Sequence, residues 1–265
     1  MIWGRGRLAS VCLGLAAAVA ARGAESVSVA AAANLTYAME ALNAQFRKEA
    51  PGIEVTTAIG ASGSLVAQIR NGAPFDVFLS ADREFPEELV RTGNADRRSL
   101  TPFAVGRLVL WTVKPGLEVA DITATVRSPE VRLLAIANTE SAPYGRAARQ
   151  ALEKLGLWAE ARPKLVTAEN ISQATQFVET GNADAGFVAL SAVASPRLKG
   201  RGRWLEVPAG LYEPLTQVAV VTTRGSANRW SARYVGFLKG EAARRILEDF
   251  GYGMAPADTG SGKAP

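Results

Sequence analysis

This 265-residue chain contains no histidine. Histidine is the usual general base near neutral pH and a common zinc ligand, so its absence removes the Ser-His-Asp triad and most zinc sites. Cysteine is nearly as scarce, because the only one, Cys12, lies in an apolar segment near the start of the chain. A disulfide within the chain is therefore excluded. The common hydrolytic and zinc-dependent mechanisms lose the residues on which they depend.

An apolar run long enough to cross a membrane is also lacking. Residues 8–20 are apolar, but a spanning helix needs about 20 such residues. Arg5 and Arg7 precede this run and small residues end it, which is the pattern of a secretory signal peptide. We therefore predict a signal peptide over residues 1–24, cleaved near residues 20–24, and an exported mature protein.

A strong excess of one charge is missing from the predicted mature chain. The full sequence carries a net charge of +5. Removal of Arg5, Arg7 and Arg22 with the signal peptide leaves 27 of the 30 basic residues against 25 acidic ones. Basic clusters such as Arg97-Arg98 and residues 199–203 fall in predicted loops. This distribution predicts a solvated surface and no nucleic-acid partner.

Short β-rich runs alternate with helical patterns through most of the chain, which is 48% hydrophobic. This alternation predicts an α/β fold with mostly parallel sheets flanked by helices. The predicted strands are Val27–Ala32, Glu54–Ile59, Asp76–Leu79, Arg107–Val113, Leu133–Ala137, Ala185–Ala189 and Gln217–Thr222. Ligands of open α/β sheets bind at the carboxyl ends of strands, so two lobes with a ligand cleft between them are the expected architecture.

The predicted domain boundaries follow from two strands that are expected to cross between the lobes, Arg107–Val113 and Gln217–Thr222. A single helix over Asn228–Phe250 is expected to return to the first lobe. The predicted parts are a first lobe over residues 25–103, a second lobe over 104–225, a return segment over 226–254 and a disordered tail over 255–265, which is rich in glycine, alanine and proline.

Four predicted helices begin with small or polar residues, two in each half of the chain. The first two begin after strands, at Asn34 and Ser62. The third begins at Pro143-Tyr144, and the fourth at Asn170, where residues 170–173 form a capping-box pattern. A helix start exposes unpaired N–H groups and the positive end of the helix dipole. Helix starts that face one another can hold an anion without a formal counter-charge.

Four segments in this order resemble the periplasmic molybdate-binding proteins of ABC transporters, which are type II solute-binding proteins. These segments are residues 31–36 (AAANLT), 60–65 (GASGSL), 72–82 (GAPFDVFLSAD) and 217–221 (QVAVV). The likeness covers residues 26–254, nearly the whole predicted mature chain. Single motifs of this kind occur in many solute-binding proteins, whereas the ordered set is typical of this family.

The resemblance implies a two-lobed periplasmic binding protein fold with molybdate or tungstate held in the cleft. Hydroxyl, amide and backbone N–H donors would hold the oxyanion without a counter-charge. Molybdenum would be present only within the bound oxyanion, with no direct protein–metal ligand and no cofactor. The implied partners are the membrane permease and the ATPase of an ABC transporter, and the implied protein is a periplasmic monomer that is not an enzyme.

Carried over position by position, the resemblance implies five ligand-binding residues. Asn34 matches the binding position of the first helix start, and Ala33 before it would offer a backbone N–H. Ser62 matches the serine of the second helix start. Tyr144 matches the position after proline in the third, and Ile171 matches a residue of the fourth that donates its main-chain N–H.

The chain departs from part of the family at Ala189. Some members carry a ligand-contacting tyrosine after a strand resembling Gly186-Phe-Val188, and here alanine follows. Relatives without that tyrosine tend to have one at the position of Tyr144, so we expect Tyr144 to compensate, with its main-chain N–H as the favoured contact and its hydroxyl as the open alternative. Ala189 is accordingly not expected to contact the ligand directly.

Other functions remain open from the sequence. The same architecture could bind sulfate or thiosulfate, whereas ferric ion is disfavoured because the tyrosines are spread along the chain. An exported hydrolase could use Ser62 as nucleophile, but residues 60–64 lack the nucleophile-elbow pattern. Asp76, Asp82 and Glu169 could suggest acid–base catalysis, although their segments fit a sheet end and a helix start better. A site made only of donors should reject protonated phosphate.

Overall fold

The computed structural model of this chain describes residues 25–255. The predicted signal peptide over 1–24, and all of the predicted tail except residue 255, lie outside the described residues. Within residues 25–255, none of the helices has the length and apolar character needed to span a bilayer.

The described residues form ten strands in two separate five-stranded sheets. The strands are β1 (Ser26–Ala32), β2 (Glu54–Gly60), β3 (Val77–Ser80), β4 (Thr101–Gly106), β5 (Leu108–Thr112), β6 (Leu134–Ala137), β7 (Leu165–Ala168), β8 (Ala185–Ala189), β9 (Arg203–Glu206) and β10 (Leu215–Val221). The first sheet has the strand order β2-β1-β3-β10-β4, and the second has the order β7-β6-β8-β5-β9.

The two sheets share one pattern of strand directions. In the first sheet, β1 pairs in parallel with β2 and β3, and β10 pairs antiparallel with β3 and β4. In the second, β6 pairs in parallel with β7 and β8, and β5 pairs antiparallel with β8 and β9. All strands except β10 and β5 therefore share a direction within their sheet. The predicted two-lobed α/β fold with mostly parallel strands is confirmed.

Ten helices accompany the strands within the described range. They are α1 (Met39–Glu49), α2 (Ser62–Arg70), α3 (Glu84–Arg91), α4 (Ile122–Arg127), α5 (Pro143–Lys154), α6 (Trp158–Ala161), α7 (Ile171–Glu179), α8 (Leu190–Val193), α9 (Arg229–Leu238) and α10 (Glu241–Asp249). Along β1, Val27, Val29 and Ala31 belong to the apolar cluster under α1, α9 and α10. Ala30 points to the opposite face and joins the cluster under α2 and α3. The first sheet is thus covered by helices on both faces.

The structure moves one predicted crossing strand into the interior of a sheet. The predicted second lobe over 104–225 included the strand at Gln217–Thr222, but β10 lies between β3 and β4 of the first sheet. The chain passes from the first sheet to the second at Arg107 and returns between β9 and β10. Periodicity reveals a buried strand, whereas its partners depend on backbone pairing with segments distant in sequence, so the assignment was wrong for this strand.

Two predicted helices also differ from the structure. The helix predicted from Asn34 is a 3-10 turn over Ala33–Leu35, and α1 begins only at Met39. In this turn the Thr36 hydroxyl and the Thr36 N–H both donate to the Ala33 carbonyl oxygen, at 2.7 Å and 3.2 Å. The single helix predicted over Asn228–Phe250 is divided into α9 and α10.

The division between α9 and α10 falls at Lys239-Gly240, where Gly240 is the N-cap of α10. Glycine is a poor helix former, and a Cβ at Gly240 would lie 3.0 Å from the Phe237 carbonyl oxygen.

All three strands that the sequence did not reveal, β4, β7 and β9, lie at sheet edges. Their half-exposed residues carry little apolar signal, and Pro102 in β4 is compatible only with such an edge.

Candidate functional site

A small pocket lies where the carboxyl ends of strands from the two sheets face each other. Its lining comes from the turns after β1, β2 and β3 and from the starts of α5 and α7. The lining residues are Ala32, Ala33, Asn34, Gly60, Ala61, Ser62, Ala81, Ala142, Pro143, Tyr144, Asn170 and Ile171. None of them carries a charged side chain.

The structure brings all five residues singled out in the sequence to this pocket. Ala33 and Asn34 follow β1, Ser62 opens α2, Tyr144 lies in the first turn of α5, and Ile171 opens α7. Each of the five is buried. The arrangement follows from topology, because the carboxyl ends of β1, β2, β6 and β7 all lead into the cleft.

The helix starts around the pocket leave backbone N–H groups without side-chain caps. At α2 and α5 the N-cap residues are Ala61 and Ala142, which have no side-chain acceptor. At α7 the Asn170 side chain accepts from the N–H groups of Ser172 at 3.0 Å and Gln173 at 3.1 Å. The Ile171 N–H is not among these, so it remains at the helix start beside the pocket.

Ser62 has its hydroxyl oriented by its neighbour in the lining. The Ala81 N–H donates to Ser62 Oγ at 3.2 Å. An oxygen that accepts from an N–H still has its own proton to give. Ser62 can therefore donate to a ligand in the pocket, and its partner is a backbone amide and not a general base.

The Asn34 side chain is held in a buried network. Its Nδ2 donates to Gln217 Oε1 at 2.8 Å and to the Tyr252 hydroxyl at 2.9 Å. The Asn34 carbonyl oxygen accepts from the hydroxyls of Tyr252 and Ser191, both at 2.8 Å. Asn34 Oδ1 has no hydrogen-bond partner among the described residues. The sequence did not predict that Gln217 or Tyr252 supports the site. Both lie far from Asn34 along the chain, although their side chains contact it in the fold.

The Tyr144 side chain extends toward the segment where the chain crosses between the sheets. Its hydroxyl would lie 2.0 Å from a Cβ built on Gly106, so only glycine fits there. Burial raises the pKa of Tyr144 well above its ordinary value, so the phenol stays protonated. Its hydroxyl makes no hydrogen bond of normal geometry among the described residues, although an interaction with the Asn34 side chain acts to lower its pKa. Gly106 does not line the pocket, which favours the main-chain N–H as the group that Tyr144 offers there.

The remaining candidate positions lie outside the lining. Ala189 ends β8 and is buried, but it is not among the pocket residues. Asp76 is engaged by Arg224 at 2.9 Å and by the Ser28 N–H at 2.9 Å, which is a structural role. Glu169 also lies outside the lining. Within residues 25–255, no cluster of three or more acidic, histidine or cysteine side chains could hold a metal ion.

Asp82 belongs to the rim of the cleft, a group of contacts between the lobes that the sequence did not reveal. Its carboxylate pairs with Arg146 of α5, which also bonds Glu84 at 2.8 Å. Burial raises the pKa of Asp82, while the Phe85 N–H and Arg146 act in the opposite direction.

Two uncharged contacts complete this rim. The Gly63 N–H donates to the Ser141 carbonyl oxygen at 2.8 Å, and the Ser172 hydroxyl donates to the Ala33 carbonyl oxygen at 2.7 Å. These bonds join residues far apart in sequence, so no local pattern announces them. Together they hold the lobes closed over the pocket.

Comparison with known proteins supports the same architecture. Residues 27–253 match the family model described as bacterial extracellular solute-binding protein. The molybdate-binding protein ModA of Azotobacter vinelandii is 45% identical over 245 residues, covering 92% of this chain and 96% of that protein. ModA of Rhodobacter capsulatus is 41% identical over 243 residues, covering 92% and 93%. The solved periplasmic molybdate-binding protein of Azotobacter vinelandii superposes with a TM-score of 0.82 at 37% identity, covering 87% of this chain and 100% of that chain.

Proposed function

This chain belongs to the bacterial extracellular solute-binding protein family, and we propose that it captures molybdate or tungstate for an ABC importer. The observation that carries the proposal is the pocket, which is buried, free of charged side chains and surrounded by the starts of helices from both lobes. The relatives at 45% and 41% identity are both named molybdate-binding proteins. Binding and release of an oxyanion, without chemistry on it, is the function this arrangement supports.

The proposed ligand contacts are neutral hydrogen-bond donors. The Ser62 hydroxyl and the backbone N–H groups of Ala33, Asn34, Ser62, Tyr144 and Ile171 are the donors assigned to the oxyanion. A doubly charged anion is stabilised by several such dipoles and by helix starts, and no counter-ion has to lose its hydration. Charge-assisted hydrogen bonds of this kind are about twice as strong as neutral ones.

The same pocket supports a preference among oxyanions. Asp76, Asp82 and Glu169 all lie outside the lining, so a protonated ligand meets no carboxylate acceptor there. A buried O–H without a partner costs about 1–3 kcal/mol, which disfavours phosphate at neutral pH. Sulfate carries the same charge and shape as molybdate but is smaller, so discrimination against it depends on the dimensions of the closed pocket.

We further propose a cellular setting for this activity. The protein is exported by the signal peptide over residues 1–24, works in the periplasm as a monomer and delivers its oxyanion to a membrane permease and its ATPase. The solved relative from Azotobacter vinelandii is described as periplasmic, which supports this location.

The decisive experiment is a thermal-shift and calorimetry panel on residues 25–265 with molybdate, tungstate, sulfate, phosphate and ferric citrate. A ligand at 100 times its Kd adds about 2.7 kcal/mol to the free energy of unfolding. We expect this stabilisation from molybdate and tungstate, and at least a tenfold weaker response to phosphate. Stabilisation by sulfate alone would reassign the protein to another oxyanion, and no response to any of the oxyanions would refute the proposal.

A further inference from the structure

We infer that the Asn34 side chain does not donate to the bound anion, and that Gln217 and Tyr252 are positioning residues that hold the first helix start in place. The inference rests on the proposed function, because it concerns how the same pocket presents its donors. It assigns the contribution of Asn34 to the backbone N–H. It also extends the functional set to two residues outside the pocket lining.

The inference rests on the number of protons that the Asn34 side-chain amide can donate. A side-chain amide has two N–H protons and no others to give. Nδ2 lies 2.8 Å from Gln217 Oε1 and 2.9 Å from the Tyr252 hydroxyl, and both contacts are buried. Both protons are therefore engaged within the protein, and none is left for a ligand.

The orientation of the amide follows from its neighbours. Gln217 Nε2 donates to the carbonyl oxygens of Leu215 at 2.8 Å and Ala81 at 3.3 Å, so its Oε1 has to face Asn34. The Tyr252 hydroxyl donates its proton to the Asn34 carbonyl oxygen at 2.8 Å and can only accept from the side chain. Rotating the Asn34 amide by half a turn would place Oδ1 against Gln217 Oε1, two acceptors without a proton between them.

The bonds made by the Asn34 side chain lie within one lobe. Gln217 is on β10, in the first sheet with β1, and Tyr252 follows α10. The neighbouring Gly253 exchanges two backbone bonds with Val105, N–H to O at 2.8 Å and 2.9 Å, which anchors the tyrosine to β4. Since the Gln217 and Tyr252 bonds lie within the first lobe, they can hold the Asn34 side chain before the cleft closes, whereas the Ser191 hydroxyl comes to the Asn34 carbonyl oxygen from the second lobe. Such preorganisation lowers the cost of binding.

Gln217 also connects two parts of the pocket. One end of its amide accepts from Asn34 after β1, and the other donates to the Ala81 carbonyl after β3. The Ala81 N–H in turn orients the Ser62 hydroxyl. A change at Gln217 is therefore transmitted to two donors of the proposed site without any contact with the anion.

The test compares Tyr252→Phe and Gln217→Met with the control Tyr234→Phe. Tyr234 is buried in the same lobe and donates to the Asn43 side-chain oxygen at 2.8 Å, away from the pocket. We expect Tyr252→Phe and Gln217→Met each to weaken molybdate binding about tenfold, the worth of one hydrogen bond. Tyr234→Phe should lower the melting temperature about as much as Tyr252→Phe does, and it should leave molybdate affinity unchanged.

A result against the inference would differ in the direction of the affinity change. If Tyr252 had no positioning role, removal of its hydroxyl would leave molybdate affinity unchanged or higher, which would overturn the inference. A second readout needs no ligand. In the ligand-free protein, the NMR signals of the Asn34 side-chain amide, identified by their loss in Asn34→Ala, should exchange slowly with solvent. Rapid exchange would refute the network, whereas failure of the wild-type protein to bind molybdate would refute only the proposed function.

Discussion

The pocket and the rim of the cleft hold the same two lobes together with different chemistry. The pocket lining contains no charged side chain, whereas the rim joins Arg146 to Asp82 and Glu84. The Arg146 side chain is 29% exposed and that of Glu84 is 72% exposed, so this pair remains partly hydrated, whereas Asp82 is only 11% exposed. A charge buried beside the anion would lose that hydration. Neutral dipoles are therefore suited to holding the ligand, and half-solvated charges to holding the lobes.

The largest loss of molybdate affinity is expected from placing a charged side chain, like those of the rim, in the pocket. Ala61 lines the pocket and is the N-cap of α2, so Ala61→Asp places a carboxylate beside the anion. Two unit charges about 4 Å apart at an effective dielectric constant near 20 repel by about 4 kcal/mol, or about a thousandfold in affinity. Calorimetry with molybdate measures this loss. Asp is a favourable N-cap, so the ligand-free protein should keep its stability.

The matched control for that variant is Ala61→Asn, which has the same shape and no charge. It should retain most of the affinity. Equal losses in both variants would show that size and not charge excludes the anion, which would remove the electrostatic contrast between pocket and rim.

The next largest loss of molybdate affinity is expected from removing one hydrogen-bond donor of the pocket. Ser62→Ala deletes the hydroxyl assigned to the anion, and hydrogen bonds to charged groups contribute about 1.5–3 kcal/mol. We expect molybdate affinity to fall about tenfold to a hundredfold by calorimetry. Ser64→Ala, two residues further along α2 and outside the lining, should leave affinity unchanged. If the two variants bind equally well, Ser62 is not a ligand residue.

Closure of the rim can be hindered without touching a charge. A Cβ at Gly63 would lie 2.9 Å from the Phe85 ring and 3.1 Å from the Ser141 Cα, so Gly63→Ala separates the lobes slightly. We expect affinity to fall about tenfold and dissociation to accelerate, since one backbone hydrogen bond and the tight contact are lost. Stopped-flow measurement of molybdate release tests this. An unchanged release rate would mean that the lobes need not approach this closely.

Gly236→Ala is the control for the preceding variant. Gly236 lies within α9, and nothing lies within 4 Å of a Cβ built there. Replacing an interior helix glycine by alanine stabilises by about 1 kcal/mol. The variant should melt at a higher temperature and bind molybdate like the wild-type protein.

The smallest effect is expected from the charged pairs of the rim. Exposed ion pairs contribute about 0.2–1 kcal/mol, so Glu84→Gln, which removes only the exposed partner of Arg146, should weaken molybdate binding by no more than about fivefold. Because salt screens such pairs, the difference from wild type should shrink between low and high ionic strength. Glu87→Gln, on the same helix but paired with Arg83 at 2.8 Å within the first lobe, should show no such salt dependence. An effect of Glu84→Gln that grows with salt would contradict the assignment.

Much of the pocket could be predicted because its signals are local. A strand followed by a small or polar residue and a helix can be read within about ten residues of Asn34, Ser62, Tyr144 or Ile171. All seven predicted strands correspond to strands of the structure, although the segment predicted at Arg107–Val113 begins only at Leu108. The edge strands were missed because a half-exposed strand lacks the apolar run that distinguishes a buried one.

Residues that support the pocket could not be found in this way. Gln217 and Tyr252 lie 183 and 218 residues from Asn34, and their side chains resemble any polar residue near a strand or helix end. The contact between Gly63 and Ser141 and the pairing of Arg146 with Asp82 likewise depend on two lobes meeting. The residues that neighbour these positions in the sequence carry no signal of contacts between the lobes.

The sequence by itself determined the α/β class, the helix starts that point donors into a cleft and the absence of histidine chemistry, because each depends on residue type and short-range periodicity. Tertiary structure alone decided that β10 belongs to the first sheet, that the Asn34 amide protons are engaged by Gln217 and Tyr252, and that charge is confined to the rim. These features arise from hydrogen bonds and ion pairs between segments distant along the chain. Their partners are chosen only when the sheets have formed and the lobes have closed.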